Sequence, residues 1–125
     1  MPERSQRGLR QFAEVMTVPA PADANPTTSA LIEFIFAEVW SRPILSRRDR
    51  RFVTLPCVAA ADAEGPLQDH VYAALNSGDL SITEMRETVL HFAVYAGWPK
   101  ASRFNMAVDA QWERIHRERG QAAPP

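Results

Sequence analysis

Cysteine is nearly absent: Cys57 is the only one in 125 residues. That excludes an intrachain disulfide, a Cys-x-x-Cys redox pair and a cysteine zinc cage. Lysine is as scarce, since 13 of the 14 basic residues are arginine and only Lys100 is lysine. A formal net charge of -1 leaves no general polycationic character, which argues against a nucleic-acid binder outside a local patch. No apolar run approaches the ~20 residues of a membrane span. The polar, basic stretch Met1–Arg10 lacks the apolar segment of a signal peptide. No stretch of useful length alternates apolar and polar residues with the period of a strand. The expectation is a cytoplasmic protein without strands.

The residues present are those of a globular chain, 46% hydrophobic and 23% charged. At this length roughly two-thirds of the unfolded surface is buried on folding, enough for one core. The pattern predicts an all-α fold of six helices in one domain. Leu9, Phe12, Val15 and Met16 make an amphipathic segment over 5–16, followed by a proline-interrupted connector to Pro26. A second helix, capped by Thr27 or Thr28, runs to about Ser41. Its apolar residues surround most of its circumference, which predicts burial on more than one side. Ser46 opens a third helix, with Asp49 in capping position, an inner run of Phe52, Val53, Leu55, Cys57 and Val58, and a kink at Pro56. Gly65-Pro66 reads as a break. Beyond it Leu67, His70, Val71, Ala74 and Leu75 form the cleanest helical stripe, which ends at Gly78. Ser81 and Glu84 have capping-box spacing for a fifth helix with Met85, Val89, Phe92 and Ala96 inward. A sixth runs from about Lys100 to Arg119, with Phe104, Val108, Trp112 and Ile115 inward. The expected layout is an N-terminal helix and connector (1–26), a helical domain (27–119) and a flexible tail (120–125).

Few residues in this pattern are candidates for chemistry. His70 occupies an apolar stripe where an aliphatic residue is usual. It is either an acid, base or anion partner titrating near neutrality, or a core histidine satisfied by a backbone carbonyl. Glu38 lies in an oily helix. It is either a desolvated carboxyl group with a raised pKa or an ordinary ion pair with Arg42 one turn on. Arg42, Arg47, Arg48, Arg50 and Arg51 fall within ten residues. They can bind an anionic small molecule, bind phosphate, or form a solvated face or subunit salt bridges. Only Phe52 interleaves them, which is too little for stacking on single-stranded bases. His91 and Tyr95 are one turn apart and can meet. Cys57 reads as buried filling and His116 as part of a solvated face. The three histidines lack metal-ligand spacing, so no metal is expected.

Four blocks in register resemble the carboxymuconolactone decarboxylase family, close to its 4-carboxymuconolactone decarboxylase branch. They are Glu38-Val39-Trp40-Ser41-Arg42-Pro43, Leu45 to Leu55 with its Arg48 and Arg50, His70 to Gly78, and Leu90 to Pro99. The resemblance covers about Arg7 to Val108. It implies an all-α homo-oligomer, trimer or hexamer, with a pocket near subunit contacts. It also implies a cofactor-independent carboxy-lyase acting on a small carboxylate or lactone, in the β-ketoadipate branch of protocatechuate breakdown. The family's thiol peroxidases carry Cys-x-x-Cys where this chain has Ala63 and Pro66, so peroxidase chemistry is not expected. On this resemblance His70 and Glu38 are the catalytic pair. His70 serves the oxyanion or orients the substrate, Glu38 positions or protonates it, and Arg42 or Arg50 holds a substrate carboxylate. Trp40, His91 and Tyr95 are further substrate-binding candidates. Ile44, Arg51 and Pro56 depart from the family pattern beside the expected pocket. They leave open a member recruited to another pathway and another lactone or keto acid, or a non-catalytic ligand-binding oligomer.

Overall fold

The computed structural model describes residues 2–22 and 25–124. Asp23 and Ala24 of the predicted connector lie outside it. The described residues form six helices and no strand, counting a helix and its π-helical continuation as one. They are α1 (Glu3–Met16), α2 (Pro26–Ala30) running into a π-helical stretch (Leu31–Val39), α3 (Arg47–Ala60), α4 (Glu64–Asn76), α5 (Ile82–Ala96) and α6 (Trp98–Glu118). The all-α class read from periodicity is the observed one.

The chain divides into two compact units, Met1–Arg50 and Arg51–Pro125. In the first, α1 packs on the π-helical stretch. Val15, Met16, Ile32, Phe36, Ala37 and Trp40 are buried there. The Phe12 ring meets the edge of Phe36 at 4.7 Å between centroids, and Phe36 stacks on Trp40. Gly8 lets the two elements touch, because a Cβ at this position would collide with the Ile32 carbonyl oxygen and lie 2.7 Å from its Cγ2. In the second unit α6 packs on both α4 and α5. Leu67 and Val71 from α4, Met85 from α5, and Phe104, Val108 and Ile115 from α6 build its core. Tyr72 Oη donates to Glu118 Oε1 at 2.6 Å while the Arg114 guanidinium lies 3.7 Å from the Tyr72 ring centroid. These contacts clip α4 to α6.

Local signals fall largely where the sequence puts them. Ser81 and Glu84 form a reciprocal capping box, Ser46 Oγ accepts from the Asp49 N–H at 3.0 Å, and Gly78 is left-handed with φ +79°.

Five expectations need correction. Asn25, not Thr27 or Thr28, caps the second helix, accepting from the Thr28 N–H with Pro26 at the first helical position. Gly65-Pro66 is no break: both lie in the first turn of α4, where a missing N–H leaves no bond unmade. By the same rule α6 starts at Trp98 with Pro99 in its first turn, earlier than the expected Lys100. The second helix is not enclosed, since Phe34 is 58% and Ile35 40% exposed. After Ala30 it widens to π geometry, with the Trp40 N–H bonding Ile35 O five residues back, so faces read at 3.6 residues per turn no longer apply. Cys57 and Val53 point outward from α3, whose buried positions are Arg51, Leu55 and Ala59.

Candidate functional site

Glu38 and His70, paired by the sequence reading, sit in different units. Glu38 comes from the π-helical stretch. Its Oε1 accepts from Arg7 Nη2 at 3.0 Å and lies 3.2 Å from Arg4 Nε. The expected pairing with Arg42 is not formed. A helix contact across one turn needs the helix to continue, and here it ends at Val39, with Arg42 beyond it, its N–H bonded to the Val39 carbonyl oxygen. Nor is the carboxylate desolvated, since its side chain is 43% exposed. Arg4 and Arg7, both on α1, were invisible to motif reading because they lie about thirty positions from Glu38 and join it only through packing.

Arg4, Glu38 and Arg42 line one wall of an open groove of about 740 Å³, flanked by Phe34, Val39 and Pro43. Arg42 is exposed. Arg50 Nη2 donates to the Arg42 carbonyl oxygen at 3.0 Å, and its Nε is buried without a hydrogen-bond partner among the described residues. Arg50 therefore braces the backbone at Arg42, while Arg42 faces the groove. Trp40 is buried behind them, stacked on Phe36.

His70 lies on α4, half-buried, with its Nδ1 shielded from solvent. Burial, and then the charge of Arg51, lower its pKa from 6.5 to about 4. At neutral pH the ring is uncharged, so one nitrogen can donate and the other accept. Arg51 itself is only 1% exposed and pairs through Nε with Asp79 Oδ2 at 3.1 Å. The sequence marked Arg51 as a departure from the family pattern but not as a buried ion pair. Its signal would have been an arginine at a core position of α3, four residues before Leu55.

His91 and Tyr95 meet as expected, with ring centroids 5.4 Å apart. Both are exposed on α5. His116 is less solvated than expected: it is partly buried against the Trp112 ring, with Nδ1 3.0 Å from the Trp112 carbonyl oxygen. Among the described residues no group of three or more His, Cys, Asp or Glu is placed to hold a metal ion, and no helix is long and apolar enough to cross a membrane.

The described residues thus give an all-helical protein with an uncharged half-buried histidine in one unit and a groove lined by Arg4 and Arg42 in the other. Comparison makes the class specific. A family model described as the carboxymuconolactone decarboxylase family matches residues 25–110, and the chain belongs to that family. It is 39% identical to a 4-carboxymuconolactone decarboxylase of Acinetobacter baylyi over 69 residues, 55% of this chain and 51% of that protein. It is 38% identical to a nitrosuccinic acid decarboxylase of Metarhizium robertsii over 75 residues, 60% of this chain and 52% of that one. The chain thus spans about half the length of the relatives it matches.

Proposed function

We propose that the chain is a cofactor-independent decarboxylase of a small organic acid, with 4-carboxymuconolactone the first substrate to test. The carrying observation is His70, kept uncharged at neutral pH inside a chain of this family. In decarboxylation the bond to the carboxylate carbon breaks and CO2 leaves. The electron pair moves into an adjacent sink, and a proton then adds to a carbon of that conjugated system, for a muconolactone the ring carbon next to the lactone carbonyl. A muconolactone places the pair on the lactone oxygens as a dienolate. A neutral imidazole N–H stabilises such an oxygen without already holding a full positive charge. In the first unit, taken by itself, Arg42 offers a guanidinium suited to holding a carboxylate, and Glu38, engaged by Arg7 and Arg4, an acceptor for a hydroxyl.

A different acid in another pathway is the second reading. It is favoured by the relative whose name gives nitrosuccinic acid as its substrate. There too, loss of CO2 beside a nitro group leaves charge on oxygen. A homo-oligomer is supported by the exposed apolar residues Leu90, Val94, Tyr95 and Trp98, and a trimer or hexamer is what the family resemblance implies.

The test is CO2 release from a panel holding 4-carboxymuconolactone, nitrosuccinate and simple keto acids. His70→Ala is expected to lower kcat by about a hundredfold or more, with a smaller effect on KM. An unchanged kcat removes His70 from the chemistry. No CO2 from any acid leaves the non-catalytic binder.

A further inference from the structure

Arg4 stands outside the segment matched by the family, which begins at residue 25. It nevertheless lines the groove with Glu38 and Arg42. Its Nε is committed, donating to the Glu33 carbonyl oxygen at 2.7 Å and facing Glu38 Oε1 at 3.2 Å. These contacts fix the plane of the guanidinium. Its two terminal nitrogens make no hydrogen bond among the described residues and remain available as donors. The Arg42 side chain likewise has no ion pair or hydrogen bond among the described residues, while its backbone is held by Arg50. The oriented guanidinium of Arg4 and the exposed one of Arg42, both with unspent donors, suit one carboxylate, since each offers N–H pairs matched to its oxygens. The third charge on this wall, Glu38, repels a second carboxylate placed beside it, so a diacid carries its other carboxylate away from Glu38. Phe34, Val39 and Pro43 supply an apolar flank for a small ring.

We propose that Arg4 and Arg42 together form the carboxylate anchor of this groove. Helix α1, from outside the family segment, thereby helps to fix one carboxylate of the bound acid, the one kept through the reaction, with the small apolar or ring body against the flank. This deepens the decarboxylase reading and rests on it only for what becomes of the bound acid.

The test uses benzoate as an anionic ring probe, benzamide as its neutral isostere and sulfate as a bare anion, followed by calorimetry and by amide shifts around Phe34 and Val39. Benzoate is expected to bind about tenfold or more tightly than benzamide. Arg4→Ala and Arg42→Ala should each weaken benzoate by about tenfold and erase that preference. Arg4→Lys should restore part of it. Arg4 is 52% exposed, so Arg4→Ala should melt like the wild type, and Arg4→Lys retains the charge if α1 is disturbed. Benzoate affinity unchanged in both alanine variants overturns the anchor. So does equal binding of benzamide, or sulfate competing as well as benzoate does. Loss of benzoate binding in Arg4→Ala, in a chain that releases CO2 from no acid, keeps the anchor and ends the decarboxylase reading. CO2 release with an unchanged KM in Arg4→Ala does the opposite.

Discussion

At the scale of the residue, His70 and Arg51 show how burial and charge combine. Arg51 is buried with Asp79 as its partner, an arrangement whose desolvation cost roughly cancels its attraction. Its positive charge still acts on His70, second to burial, and the imidazole titrates at about 4. In the unfolded chain it takes up its proton near 6.5. The native state thus binds fewer protons between these values, and stability falls as pH drops from 6.5 toward 4. Urea unfolding at about pH 7 and about pH 5 is expected to show a larger loss for the wild type than for His70→Gln. Equal losses would place His70 in a solvated environment. The pattern around His70 was legible as a polar residue in an apolar stripe. Its protonation state was not, because that depends on Arg51, nineteen positions away in the chain.

At the scale of the element, the second helix carries the main departure from pattern reading. Its residues are those of a buried α-helix, yet nine of them, Leu31–Val39, adopt π geometry. Hydrophobic pattern does not report which carbonyl an N–H will choose, since both helices are satisfied internally. Gly8 marks where α1 crosses this stretch. Gly8→Ala would press a methyl into the Ile32 backbone, which cannot rotate away. The expected cost is about 1–3 kcal/mol, set against the usual gain from alanine in a helix. Thermal unfolding with far-UV circular dichroism measures it, and a neutral result would mean that α1 sits further from Ile32. The reciprocal box of Ser81 and Glu84 was legible, whereas the equally local cap at Asn25 was misplaced onto Thr27 or Thr28, because several residues before the helix offer a capping oxygen. Proline was misread where it opens helices α4 and α6, because its lack of an N–H is harmless in a first turn.

At the scale of the whole molecule, the feature to explain is apolar surface. Val94 is 74%, Tyr95 83% and Trp98 70% exposed. Large apolar side chains exposed to this degree are costly in water and mark a candidate contact surface. If a second copy of the chain covers it, light scattering should find the wild type as a trimer or hexamer. Val94→Asp, which buries a charge in that contact, should then give a smaller species. An unchanged mass would move the interface elsewhere. The low net charge of -1 is compatible with such association, since it adds little repulsion between copies.

The sequence by itself determined the helical class, the helix succession and the family. These follow from apolar spacing and short motifs, which are local properties of the chain. It also singled out His70, Glu38 and Arg42. Tertiary structure alone decided what surrounds them: Arg4 and Arg7 on Glu38, Arg50 on the Arg42 backbone, and the buried Arg51 acting on His70. Each of these contacts joins positions separated by more than a helical turn. Only packing brings such positions together, and packing carries no signature in local periodicity.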